Sequence, residues 1–183
     1  LATLAWADPA QFAGKLDTFW ITRDAPESVK GSDAAISEGL KAFPEDYELL
    51  WRAARWRWWL AEGLGAGQEK LKKQLGKEAW ILADRALKAK PGAFEGHYYK
   101  ALSIGAVSQA VGMLTAISEG LEGQFNENLA IALKMNEAYD RAGPLRAKGR
   151  YYSELPWPKR DFDKSKELLE KAIKLSPEHH RSW

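Results

Sequence analysis

The sequence predicts an all-α protein built from antiparallel helix pairs stacked side by side. Two observations lead there: one amphipathic motif recurs four times, and each copy closes on the same small-residue and turn signal. The copies read Ile36-Ser-Glu-Gly-Leu-Lys-Ala-Phe-Pro44, Ala83-Asp-Arg-Ala-Leu-Lys-Ala-Lys-Pro91, Leu129-Ala-Ile-Ala-Leu-Lys-Met-Asn-Glu137 and Leu169-Glu-Lys-Ala-Ile-Lys-Leu-Ser-Pro177. Gly39, Ala86, Ala132 and Ala172 each stand five positions before the end of their copy. A small residue there lets a neighbouring helix approach closely. Three copies close on proline, which cannot continue a helix and disfavours α geometry in the residue before it, so the chain turns; the third has Glu137 in that place.

A new helix then begins within a few residues of each turn. The expected first helices are Tyr47 to Ala61, Phe94 to about Gly105, and Leu145 to Tyr152. The spacing from Pro44 to Pro91 is 47 residues, from Pro91 to Glu137 it is 46, and from Glu137 to Pro177 it is 40. Each unit therefore carries an insertion between its two helices: near Gly63–Gly67, near Gly112–Gly123, and across Ser153–Pro158. The whole of 1–183 reads as a single domain of about four helix pairs. Trp183 falls six residues past Pro177, where a following unit would place its first aromatic residue, so the array is expected to continue.

Composition narrows the function classes. Lys and Arg number 27 against 25 Asp and Glu, a net charge of +2, so nothing in the charge balance calls for nucleic acid. The absence of cysteine excludes disulfides, thiol nucleophiles and thiolate metal sites. The charge-free run Ala101–Ser118 is long enough to span a bilayer, but its serines, glycines, Gln109 and Thr115 favour a packed internal helix pair. No transmembrane span is expected.

The four copies, the last above all (Arg160 to Pro177), resemble the second helix of the tetratricopeptide repeat. That resemblance implies a right-handed superhelical α-solenoid, here with irregular units longer than the family's ~34 residues. Three further stretches narrow it: Pro44-Glu-Asp-Tyr-Glu-Leu-Leu-Trp-Arg-Ala-Ala-Arg55, Gly96-His-Tyr-Tyr-Lys-Ala-Leu102, and Gly143-Pro-Leu-Arg-Ala-Lys-Gly-Arg-Tyr-Tyr152 with Leu155-Pro-Trp157. They are similar to the T component of bacterial tripartite (TRAP) transporters and to the regulator-of-microtubule-dynamics family, over about Ala25 to Trp183. The transporter resemblance implies a periplasmic lipoprotein with a lipid-accepting cysteine upstream of Leu1. It also implies a periplasmic solute-binding protein as partner and a homo-oligomer around a pore. The other resemblance implies a cytoplasmic, cytoskeleton-associated adaptor.

Nine tryptophans are many for this length, and four of them lie in Trp51-Arg-Ala-Ala-Arg-Trp-Arg-Trp-Trp59. At about 100° per residue, Trp51, Arg52, Arg55, Trp56, Trp58 and Trp59 share one wide arc, with Ala53 and Ala54 opposite. Counting from Pro44, one register turns Trp51, Arg55, Trp58 and Trp59 into a concave groove. A register one residue later turns Arg52, Trp56 and Trp59 inward. Tyr98, Arg150 and Tyr151 extend the same candidate surface. Indoles with guanidinium groups suit a partner protein or a hydrophobic, carboxylate-bearing small molecule. The competing interpretation is interhelix core with arginine stems packed over it. The Lys/Asn carboxylate clamp by which the repeat superfamily holds peptide tails is missing, because positions 51, 55, 98 and 102 hold Trp, Arg, Tyr and Leu.

Other motifs carry little chemistry. Gly63, Gly65 and Gly67 lack the strand that a dinucleotide fingerprint needs. His97, His179 and His180 do not have the spacing of a helical metal pair. Asp161 and Asp163 sit at a helix start, where carboxylates meet free N–H groups. No metal, no cofactor and no catalytic residue is expected; the chain reads as a non-catalytic binding protein.

Overall fold

The structure is a computed structural model that describes residues 8–178. His179, His180 and Trp183 lie outside the described residues. Among those described, every regular element is a helix and there is no strand. The elements are α1 (Pro9–Ile21), α2 (Pro26–Ala42), α3 (Tyr47–Glu62), α4 (Glu69–Ala89), α5 (Phe94–Val111), α6 (Met113–Ser118), α7 (Leu121–Asn136), α8 (Tyr139–Glu154) and α9 (Phe162–Leu175). Four pairs result, α1 with α2, α3 with α4, α5 with α7 and α8 with α9. The first helices α1, α3 and α5 lie side by side.

The four recurring motifs close α2, α4, α7 and α9, the second helix of each pair. Their small residues are all buried, with Ala86 and Ala132 fully so. In three of the four, the small residue also stops the helix. The N–H groups of Phe43, Lys90 and Ser176 donate to the carbonyls of Gly39, Ala86 and Ala172, which satisfies acceptors that the last turn would leave free. Carboxylates cap the starts of α3 and α9: Asp46 accepts from the Leu49 N–H and Asp161 from the Lys164 N–H, both at 2.9 Å.

All three insertions fall between the helices of a pair. The second contains a helix of its own, α6, bracketed by Gly112 (φ +87°) and Gly120 (φ +75°), conformations that glycine tolerates and other residues resist. The charge-free run becomes the buried part of α5 plus α6, with Ala101, Ile104 and Val107 in the core. No helix among the described residues is long and apolar enough to cross a membrane.

Helix α8 starts earlier than the sequence predicts. Asp140, Arg141 and Ala142 hold left-handed backbone (φ 49°, 57° and 58°) ahead of the regular turns. Non-glycine residues resist this geometry by roughly 1–2 kcal/mol each, so neighbours must hold it in place. They do. Arg146 Nη2 donates to the Asp140 carbonyl at 2.8 Å, and the Tyr98 hydroxyl donates to Asp140 Oδ2 at 3.1 Å. Gly143 is required here, since a Cβ at that position would collide with the Tyr98 hydroxyl.

If the small residues set the helix approach, enlarging them must cost stability. Ala86→Leu and Ala132→Leu should each destabilise by about 1–3 kcal/mol through overpacking, read as a lower urea midpoint with unchanged slope. Ala130→Leu, exposed on the same helix as Ala132, should leave the midpoint nearly unmoved.

Candidate functional site

The α3 cluster is wrapped by neighbours on three sides. Trp56 is fully buried against α1, its ring edge-on to Trp20 at 5.4 Å and its Nε1 donating to the Leu16 carbonyl at 3.4 Å. Trp51 is buried on the other flank, stacked on Tyr99 of α5 at 5.9 Å with an interplanar angle of 5°; its Nε1 donates to Glu48 at 2.9 Å. Trp59, half-buried, meets Trp20 at 5.7 Å. Trp58, also half-buried, leans on Tyr99 at 6.2 Å.

Three of these residues, Trp51, Arg55 and Trp56, therefore do not line an open groove, and neither inward register describes α3 alone. The physical reason is α1, which covers one flank of the arc with Leu16, Asp17 and Trp20. Tyr98 is corrected in the same way. It is 1 % exposed, packed between Phe94 at 5.5 Å and Tyr139 at 5.4 Å, and works as a structural tie to α8. One open depression, of about 380 Å³, lies between the starts of α1 and α3, bounded by Asp8, Gly14, Glu48 and Arg52 and not by the indoles.

The arginines interleave with the rings. Arg23 lies over Trp20 and Trp59, Arg55 over Trp20 at 4.3 Å and Trp51 at 5.0 Å, and Arg52 over Trp51 at 4.1 Å. Each such contact is worth roughly 0.5–2 kcal/mol, more where water is excluded. One carboxylate organises the group. Asp17 Oδ2 accepts from Arg52 Nε and Nη2, and its Oδ1 accepts from Arg55 Nη2 at 2.8 Å. Burial alone would raise the Asp17 pKa; the hydrogen bonds and charges of the two guanidinium groups outweigh it and hold the carboxyl below its ordinary range.

The remaining candidates sit at the end of this face. Arg150 of α8 is half exposed and reaches back to Glu62 of α3, and its Nε donates to Glu154 at 2.6 Å. Tyr151 stacks on Phe125 at 5.3 Å; its hydroxyl donates to Glu122 at 2.7 Å and accepts from Asn126 at 3.0 Å. Burial, with Glu122 as acceptor, pushes its pKa up to about 12. The structure thus brings Arg150 to the α3 cluster through Glu62 and leaves Tyr151 in the contact between α7 and α8. Tyr47 joins α3 to α5 by donating to Glu95 at 2.6 Å.

Among the described residues, no group of three or more His, Asp or Glu is placed to hold a metal ion. His97 spends both ring nitrogens on structure, against Asn128 Oδ1 at 2.9 Å and the Pro91 carbonyl at 3.3 Å.

A family model, described as regulator of microtubule dynamics protein 1-3, matches residues 24–162, about three quarters of the chain. The chain belongs to this family. The match runs from just before α2 to the first residue of α9, so the α3 cluster lies inside it and Asp17 and Trp20 outside. Of the two subgroups that the sequence resembles, the match falls on the regulator of microtubule dynamics. A search of curated proteins finds no match.

Sequence reasoning missed Asp17, Trp20, Tyr99 and Tyr139. A signal for α1 was present: Asp8-Pro9 is a cap followed by proline at the first helical position, and Ala13, Leu16 and Trp20 keep helical spacing.

Two measurements test this assignment of the family member's cluster. Trp56→Ala should cost about 3–5 kcal/mol and Trp58→Ala less than about half of that, read from urea unfolding. Asp17→Asn, which strands the buried Arg55 charge while removing a half-exposed partner, should cost about 1–3 kcal/mol at neutral pH. Because the folded-state pKa of Asp17 is depressed, its stabilisation is present above the ordinary carboxylate range. It is lost as pH falls below about 4. The acid loss of stability should be shallower in Asp17→Asn than in the parent.

Proposed function

We propose that this chain is a non-catalytic adaptor that binds a partner protein of the microtubule system. The family match over residues 24–162 carries the reading, and the fold is suited to it. Stacked helix pairs present long composite faces on rigid elements, which is how helical arrays recognise partners. The side chains that would be candidates for catalysis are occupied otherwise: Asp46 and Asp161 cap helices, Asp17 pairs with arginines, and His97 bridges α5 to its neighbours. Such an adaptor works in the cytoplasm. The transporter-associated, periplasmic alternative, with its solute-binding partner and pore-forming oligomer, has the sequence resemblance alone behind it.

Co-sedimentation with polymerised tubulin tests the proposal. The chain should appear in the polymer pellet with saturable, salt-sensitive binding. Recovery entirely in the supernatant at low salt, with tubulin in excess, contradicts it.

A further inference from the structure

The outer face of α4 carries charge that nothing among the described residues answers. Six residues of this helix are Lys or Arg and three are Asp or Glu, a surplus of three where the whole chain has two. The three carboxylates are engaged elsewhere. Glu69 accepts from the Gly67 N–H, Glu78 meets Gln74 and Arg57, and Asp84 pairs with Lys100 of α5 at 2.7 Å. Arg85 is taken by the Pro44 carbonyl. Lys70, Lys73, Lys77 and Lys88 make no ion pair and no hydrogen bond among the described residues. Helix α9 is the contrast, since Lys164, Lys166 and Lys171 each have a carboxylate partner there. Like charges three and four positions apart weaken a helix, and α4 holds two such pairs in Lys70, Lys73 and Lys77.

The four lysines form a stripe. With Ile81 they keep helical spacing and share one side of α4, while Gly76, Ala79, Ala83 and Ala86 are buried on the opposite side. The packed side meets α3 and α5, so the lysine side faces away from them. Lys70, Lys77 and Lys88 are exposed, Lys73 is half-buried, and Ile81 stands among them 60 % exposed. An open depression of about 350 Å³, bounded by Gly67, Leu71 and Gln74, lies beside Lys70 at the helix start. From Lys70 to Lys88 the stripe runs ~27 Å along the axis. An extended peptide covers that length in about eight residues, and its side chains return to one face every ~6.6 Å. The rise between successive lysines from Lys70 to Lys77 is ~4.5–6 Å, within reach of such a repeat for long, flexible side chains. A bilayer fits less well. The stripe is one helix wide and has no aromatic residue, so it lacks the broad apolar face that holds a helix at a membrane surface.

We infer that the lysine stripe of α4 docks an acidic segment of a partner protein, an extended stretch of about eight residues with an apolar side chain against Ile81. Charge complementarity carries the inference: carboxylates laid along the stripe supply the counter-charges that Lys70, Lys73, Lys77 and Lys88 do not find within the chain. The inference rests on the partner-binding role proposed above and names the chemistry of the segment that docks. It is tested with peptides and without tubulin. Failure of co-sedimentation therefore strikes the microtubule partner, and failure of the peptides strikes the stripe.

Fluorescence anisotropy of a labelled eight-residue peptide, glutamates with one central leucine, reads the docking directly. The peptide should bind saturably and more weakly as salt rises, and its counterpart with glutamine for glutamate should not bind. Two triple variants locate the site. Lys70→Gln, Lys73→Gln and Lys77→Gln together should weaken binding by roughly tenfold or more, as the loss of three charge pairs requires. Lys30→Gln, Lys41→Gln and Lys134→Gln together change the net charge equally at exposed positions on α2 and α7, and should weaken it by less than about twofold. Ile81→Gln should weaken it by about threefold. Should the α4 variant lose helix content, amide shifts of the parent protein decide the matter: those of residues 70–88 should move on addition of peptide. Equal loss in the two triple variants, or unmoved α4 amides at saturating peptide, overturns the inference. So does binding of phosphatidylserine-containing vesicles or of a duplex oligonucleotide with none of the peptide.

Discussion

Helix α3 sets the terms for everything around it. Between Tyr47 and Glu62 it carries four indoles and three guanidinium groups, more bulk than one partner helix can cover. A hairpin with α4 shelters the side that bears Ala54, which is fully buried in one cluster with Ala83 and Ala86. The aromatic arc needs two more walls, and α1 and α5 supply them through Trp20 and Tyr99. Large rings bring much apolar area out of water, but their edges and the cations between them require matching partners. Asp17 holds the arrangement together, because it is the counter-charge of the buried Arg55 and shares Arg52 with Glu48.

The general architecture was legible in the sequence because it rests on a local, repeated constraint. A small residue followed by a stop, four times over, fixes where second helices end and how closely they pack. The identity of those positions survives irregular insertions, since the insertions fall in loops. The walls of the cluster were much less legible. Whether Trp51 and Trp56 face a groove or a neighbour depends on what covers them, and that is a tertiary fact which the periodicity of α3 does not contain. Helix α1 has no copy of the recurring motif, so a search for repeats passes over it. The left-handed turn at Asp140–Ala142 lies further still from any pattern, because residues that dislike the geometry are held in it by Tyr98 and Arg146, distant or later in the chain.

The same packing shapes what the face is able to bind. An array whose inner surface is lined by exposed indoles would take apolar ligands broadly. Here Trp51 and Trp56 are spent on cohesion, and only Trp58 and Trp59 of the cluster stay half-buried. The far end of the face is tied down by Arg150, which joins α8 of the last pair to α3 of the second through Glu62. Membership in the regulator of microtubule dynamics family gives this surface a biological setting, and the array gives it rigidity.

Hydrogen–deuterium exchange resolved by residue tests the central claim that α3 is the buried hub. Amides between residues 49 and 61 should be the slowest in the protein, exchanging only through global unfolding, while α9, which buries little beyond Ser165 and Ala172, should exchange sooner. Exchange in α3 as fast as in α9 would contradict the account.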